Sequence, residues 1–295
     1  MNFRIKALMQ TVFGLFPNSE EVNYFAQRHI TKSLPPNRTT YNRKFGRAKE
    51  HDAIFRKYHA GSKPVVYEIG CGWDLTLALS LSTFGYKDIR ALDVSNHVRP
   101  ELVNATLKNL REDGVLPADF ADIDFTRTRE ELLERFGIAL MAPCDSANTG
   151  MADQSVDLIY SQEVFEHIAP KLLPGIMEEC RRVLKDDGVI SFYINYADHY
   201  FGTDQNVTRY NFLRYSEKAW KKYNPDLHYV NRLRHVDFVR LFKDAGFEIL
   251  HEETFRPEGW EQMLAGVPVH KSFTEQYSTE ELSFTSGRFV LKKKQ

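Results

Sequence analysis

Nothing in this sequence approaches the run of apolar residues that a membrane-spanning helix needs. Cysteine is scarce too: Cys71, Cys144 and Cys180 are odd in number, far apart and without CxxC spacing. That argues against a disulfide framework or a cysteine-built zinc site and suits a reducing, cytoplasmic setting. Neither sign of charge prevails, with 39 Lys plus Arg against 40 Asp plus Glu, so the molecule lacks the broad basic field of a general nucleic-acid binder. Any recognition by charge has to be local. The N-terminus also lacks the basic region, apolar core and small-residue cleavage site of a secretory signal. Repeats and low-complexity tracts are missing as well.

What is there reads as one large α/β unit with additions. Residues 1–62 form a helical, loop-interrupted N-terminal extension, broken at "SLPPNRTT" and helical again at "RAKEHDAIFRKYHA". Within it, "IKALMQTVFGLF" sets Ile5, Leu8, Met9, Val12, Phe13 and Phe16 at helical spacing. This stretch is either a helix packed on its own domain or a helix lying on a membrane surface, since a basic start and an apolar face suit both. From residue 63 to 295 strands and helices alternate, the signature of a parallel sheet covered on both faces. "VVYEI", "DIRALDV", "IALMAP", "VDLIYSQ" and "VISFYIN" are strands 1 to 5, and "FEILHEE" and "GRFVLKKK" are a terminal pair. The helix "KLLPGIMEECRRVLKDDG" is expected to end at its glycine. Between strand 5 and the helix "VDFVRLFKDAGF" lies a long connection, 196–235, whose length points to function and whose aromatic content argues for order.

The turn "EIGCGWD" after strand 1 is the most informative stretch. Glycines here let the backbone approach a ligand at a helix N-terminus. A dinucleotide fingerprint would need glycine at position 75, which is Leu75, and Glu68 is badly placed for a pyrophosphate neighbour. A cationic ligand removes that objection. With Glu68, Gly70 and Gly72, the turn resembles the first motif of class I methyltransferases that use S-adenosylmethionine (SAM), a ligand with an ammonium, a sulfonium and no phosphate. Asp74 stands where that family has a last glycine; it either faces the ammonium or caps the following helix.

The resemblance continues over residues 64–195 in order and spacing. It implies that Asp93 grips the ribose hydroxyls with Val94 beside it, and that Asp145 and Ser146 meet the adenine. It places Gln162 after strand 4, and Cys71 as a small residue against the ligand rather than a nucleophile. Asp157 reads as a turn or structural residue. Glu166 and His167 of "EHI" read as pocket-shaping, because the tripeptide accompanies very different chemistries in the family.

Acceptor residues are sought after strands 4 and 5, where ligands lie in doubly wound sheets. His199 in "NYADHYFG" is a general base, a substrate contact or structural; Asp198 orients a neighbour or binds a metal with it. No metal site is assigned. From Asn206 to His235 seven Lys or Arg (Arg209, Arg214, Lys218, Lys221, Lys222, Arg232, Arg234) face two acids (Glu217, Asp226), a local basic excess interleaved with aromatics. That mixture suits a planar or sugar-like ligand bearing phosphate or carboxylate, so the segment reads as a substrate lid with Tyr200, Arg209, Tyr210, Arg214, Tyr215, Asn231 and Arg232 as contacts.

The implied protein is a doubly wound, Rossmann-like class I methyltransferase with seven strands, the last antiparallel, an N-terminal helical extension and a lid after strand 5. It would use SAM to methylate a small anionic or sugar-containing acceptor, at oxygen. Its expected place is the cytoplasm, with peripheral contact at the inner face of the membrane through the N-terminal helix, and no nucleic-acid partner. The alternatives are a SAM-binding scaffold without catalysis and a nicotinamide-dependent oxidoreductase.

Overall fold

The computed structural model of the chain describes residues 1–17, 19–30, 33–59, 61 and 64–294. The expected boundary between extension and domain, at 62/63, lies outside the described residues. Helices α1 (Phe3–Gly14), α2 (Ser19–Phe25) and α3 (Arg38–Tyr58) precede the sheet. Then come β1 (Val65–Ile69), α4 (Thr76–Thr83), β2 (Asp88–Leu92), α5 (Pro100–Glu112), α6 (Thr128–Phe136), β3 (Ile138–Met141), β4 (Val156–Gln162), α7 (Leu173–Val183) and β5 (Leu184–Asn195). The chain ends with α8 (Glu217–Trp220), α9 (His235–Asp244), β6 (Phe247–Phe255), α10 (Trp260–Ala265), α11 (Lys271–Thr274), α12 (Thr279–Ser283) and β7 (Ser286–Lys293).

The seven strands form one sheet in the order β3-β2-β1-β4-β5-β7-β6. Strands β1 to β5 pair in parallel, and β7 runs antiparallel to both β5 and β6, as expected. Central strands buried on both faces read as continuous apolar runs, which is why "VVYEI" and "VDLIYSQ" were legible. Along β1 the pleat sends Val66 to one core cluster and Tyr67 and Ile69 to the other. Helix α3 completes the first cluster with Tyr41, Ala48 and Phe55, a stripe seven residues apart that is almost wholly buried.

Two differences from the sequence reading have local causes. Helix α7 ends at Val183, and Gly188, expected to end it, lies inside β5. Val156 pairs with Leu184 while Leu158 pairs with Val189, so the residues between Leu184 and Val189 bulge from the ladder. The apolar spacing of α1 does not point one way. Phe3 and Ala7 are buried, whereas Ile5, Leu8, Val12, Leu15 and Phe16 are exposed.

The long insertion is ordered and has a core of its own. Tyr200, Tyr210, Phe212, Leu213 and Trp220 pack with Phe3 and Ala7 of α1 and with Leu264, Phe273 and Leu282 from the short helices between β6 and β7. The N-terminus of α1 is tied there as well: Phe3 N donates to Asp204 Oδ2 at 2.9 Å.

Candidate functional site

The β1–α4 turn is shaped by backbone constraints. Gly70 has φ +78°, its N–H donates to Leu92 O at 2.8 Å, and a Cβ there would sit 2.5 Å from a Val164 methyl. At Gly72, φ +67°, a Cβ would meet nothing within 4 Å. Leu75 takes a left-handed φ of 51° although it is not glycine. Asp74 makes that entry to the helix workable: its Oδ1 accepts from Thr76 N (3.0 Å) and Thr76 Oγ1 (2.8 Å). Its Oδ2 pairs with Lys44 Nζ at 2.6 Å. Asp74 thus holds the first residue of the helix, although Leu75 stands at the N-cap; the Asp74 charge is answered by α3, and Asp74 also lines the neighbouring cavity.

Beside this turn lies a cavity of about 870 Å³. All nine residues expected to hold the cofactor line it: Glu68, Gly70, Cys71, Gly72, Asp93, Val94, Asp145, Ser146 and Gln162. Asp93 is already oriented, its Oδ2 accepting from Gly72 N at 3.1 Å and its Oδ1 from Ser95 N at 3.3 Å. Glu68 is buried, and its Oε2 has no hydrogen-bond partner; the Tyr160 hydroxyl faces it without reaching bonding geometry. Burial pushes the Glu68 carboxyl up to about 8. The Cys71 thiol is pushed well above its ordinary value by the same cause, which removes it as a nucleophile. Asp157 is structural: it accepts from Val65 N at 2.7 Å and pairs with Lys185 at 2.8 Å.

The N-terminal extension covers one end. Glu20, Asn23 and Gln27 line the cavity, and Tyr24 stacks on Trp73 (5.1 Å between centroids), which stacks in turn on His97 (5.2 Å). Tyr24 Oη donates to Glu101 Oε1 at 2.5 Å, joining this cover to α5.

At the other end the insertion contributes Asp226, Leu227, His228 and Tyr229, which the sequence reading missed. His228 was the available signal, overshadowed by the arginines around it. None of the seven expected lid contacts lines this cavity. Tyr200 donates from its hydroxyl to Tyr223 O (2.7 Å), and Tyr210 to Ser283 O (2.7 Å). The Arg209 guanidinium lies over the Phe201 ring at 3.8 Å, and Tyr215 packs near Trp220. Asn231 Nδ2 donates to Phe165 O (2.7 Å) and Ile168 O (2.9 Å), docking the insertion on the loop after β4. Arg232 is buried and donates to Phe212 O (3.0 Å), Tyr215 O (2.8 Å) and Glu217 Oε2 (2.5 Å). Arg214 points to solvent. Most of these side chains hold the insertion together, because a segment without regular ladders needs side-chain donors for its carbonyls.

His199 is not on the cavity wall either; His167 and His228 are. The His199 ring sits behind them, with centroids 5.0 Å from His167 and 6.0 Å from His228. Burial holds the His199 and His228 imidazoles below their ordinary range, His228 at about 3, and the surrounding protein lowers His167 as well although it is exposed at the cavity wall, so all three are neutral near pH 7. Asp198 turns away from His199: its carboxylate accepts from Tyr200 N and Asn211 Nδ2, each at 2.8 Å. Glu166 is 1% exposed, and burial raises its carboxyl well above the usual range.

Residues 67–192 match a family described as "Methyltransferase domain". No curated protein matches the chain. Among solved structures, a Galdieria sulphuraria protein assigned as a sarcosine dimethylglycine methyltransferase is 15% identical over 94% of this chain and 99% of its own, with a TM-score of 0.52. Haemonchus contortus phosphoethanolamine N-methyltransferase 2, in complex with S-adenosyl-L-methionine, is 13% identical over 92% of this chain and 59% of its own, with a TM-score of 0.47. Geranyl diphosphate C-methyltransferase from Streptomyces coelicolor is 12% identical over 88% and 86%, with a TM-score of 0.47.

Proposed function

We propose that this chain is a SAM-dependent methyltransferase of the class I type, a reading supported by the family match over residues 67–192 and by the strand order, and that it methylates an oxygen of a small, neutral, sugar-like acceptor. Bound SAM supplies an activated methyl on a sulfonium. The chain's own residues fit it: Glu68, with a buried oxygen that has no partner, would meet the ammonium, Asp93, oriented by Gly72 N, would meet the ribose, and Asp145 and Ser146 on the cavity wall would meet the adenine. The Gly72 cradle leaves room where a side chain would intrude.

The acceptor reading is narrower than the sequence suggested. Lys44 is the one Lys or Arg on the cavity wall among the described residues, and it is paired with Asp74. The wall therefore favours a cationic cofactor and gives an anionic acceptor no counter-charge. What carries the reading is the far wall, where His167, His228, Tyr229 and Asp226 form a hydrogen-bonding surface suited to hydroxyl groups. With SAM bound, the neutral His228 on the cavity wall would take the proton of the acceptor hydroxyl as the methyl leaves sulfur for oxygen and S-adenosylhomocysteine is released. An N-terminal helix with exposed Ile5, Leu8, Val12 and Phe16 supports work at the cytoplasmic face of a membrane. Among the described residues no helix is long and apolar enough to cross one.

The test is calorimetric titration with SAM, S-adenosylhomocysteine and NADH, followed by a screen of hydroxyl and amine acceptors with methyl-labelled SAM. Binding of both SAM compounds, lost in Asp93→Ala, and label on a hydroxyl acceptor are the expected results. Label on amines alone, or on carboxylated acceptors alone, sinks the oxygen or the neutral-acceptor reading respectively.

A further inference from the structure

Among the described residues, Glu166, His167 and His199 each offer one donor atom within 4.8 Å of the others. Sheet topology brings them together. Glu166 and His167 follow β4, His199 follows β5, and those strands are neighbours.

Each member is short of a partner in the way a ligand would be. Both oxygens of the buried Glu166 carboxylate lack a hydrogen-bond partner; the amides of Glu166 and Asn195 face them without reaching bonding geometry. A buried carboxylate so left is costly, and buried polar groups of this kind call for a donor or a cation. His199 Nε2 is also buried and unpartnered. His167 holds its Nδ1 2.7 Å from Tyr229 O, so Nδ1 carries the hydrogen and Nε2 presents a lone pair. Fixing one ring nitrogen on a carbonyl is how metal-binding histidines are oriented. Glu163 faces Glu166 and His167 from the cavity wall with φ +56°, its carboxylate 2.7 Å from Arg43. A purely structural Glu166 would be expected to have its oxygens bonded, as Glu179 has by Thr149 and Arg182.

We propose that Glu166, His167 and His199 bind one divalent first-row transition-metal cation at the acceptor end of the cavity. Two imidazoles and one carboxylate favour such an ion over magnesium or calcium, which prefer all-oxygen shells. Ligand atoms on a tetrahedral ion lie about 3.3 Å apart for bonds of about 2 Å, so small side-chain rotations draw the three inward. His167 lines the cavity, and an open coordination position on that side receives the acceptor oxygen and lowers its pKa. That last role rests on the oxygen-methylation reading; binding of the ion does not.

The full-length chain, stripped with a chelator, is titrated with Co²⁺ and followed by its visible d–d absorption, with Zn²⁺ as competitor. S-adenosylhomocysteine binding is measured on the same samples. One equivalent of Co²⁺ is expected, displaced by Zn²⁺, with affinity falling about 100-fold or more in Glu166→Gln and in His199→Ala, as loss of a ligand should cost at least as much as loss of a supporting contact. The exposed His251→Ala should bind as the parent does. If His199→Ala fails to fold, His167→Asn carries the same expectation. Absence of saturable Co²⁺ binding, or equal binding by parent and cluster variants, overturns the site. Because the ion is read without cofactor or acceptor, its failure leaves the SAM reading standing.

Discussion

At Glu68 burial and charge pull in opposite directions. The carboxyl sits at the end of β1 with its oxygen unanswered, and burial lifts it to about 8 in the free protein. An unfolded chain releases that proton near the ordinary carboxyl range, so the folded state holds more protons between about pH 4.5 and 8. Stability from the neutral form is fully present below that window and is lost as pH rises through it. Thermal unfolding of parent and Glu68→Gln over pH 5 to 9 should therefore show the parent losing ground to the variant, on the order of 4 kcal/mol at full extent. Two parallel curves would mean that Glu68 is not perturbed. If Glu68 meets the ammonium as proposed, SAM binding should tighten toward pH 8 in the parent but not in the variant, because a cationic ligand prefers the carboxylate. Asp74 shows the other outcome for an acid in this turn: with a helix amide to cap and Lys44 alongside, its charge is answered within the protein.

Helix α1 carries apolar residues on two sides for two different reasons. Phe3 and Ala7 meet the lid core, while Ile5, Leu8, Val12 and Leu15 recur at helical spacing on the outside. No acidic residue falls between Phe3 and Gly14, and Arg4 is exposed beside the outer row. An apolar row with basic flanks matches the boundary of an anionic bilayer. The full chain should sediment with vesicles containing phosphatidylglycerol more than with phosphatidylcholine alone. Leu8→Glu, 64% exposed and so harmless to packing, should weaken this about tenfold or more, since one buried leucine contributes roughly 1.5–3 kcal/mol. Equal sedimentation of parent and variant would remove α1 as the contact.

Among the described residues the apolar interior divides into three clusters, two against the sheet faces and one formed by α1, the 196–235 insertion and the 256–285 segment. The third hangs together through a few buried arginines: Arg232 donates to Phe212 O and Tyr215 O, and Arg234 to Tyr196 O and Phe284 O. Such a unit is expected to open separately from the sheet. Arg232→Ala leaves two carbonyls unpaired and should lower the opening free energy of this unit by about 2–3 kcal/mol. Hydrogen exchange should then quicken together in α1, residues 196–235 and 256–285, with β1 and β4 unchanged. Faster exchange across the sheet as well would show that the lid and sheet unfold as one.

The succession of strands and the glycine turn were legible in the sequence because each is dictated locally, and the nine residues that the resemblance assigned to the cofactor all line one cavity. A two-sided strand must be apolar, a backbone that meets a ligand needs glycine, and an acid at a strand end projects into the cleft. Gly188 misled because a bulge in β5 depends on its pairing with β4, which no local signal records. Arg209, Arg214 and Arg232 misled because a charge pattern says nothing of whether a guanidinium faces a ligand, a ring, solvent or a carbonyl of its own segment. Glu166 and His167 are neighbours in sequence, His199 follows only after α7 and β5, and adjacency of β4 and β5 sets the three around one point. What pointed to the cofactor was thus short-range chemistry, whereas the far wall of the cavity and the Glu166–His167–His199 cluster were decided by the packing of segments distant in sequence.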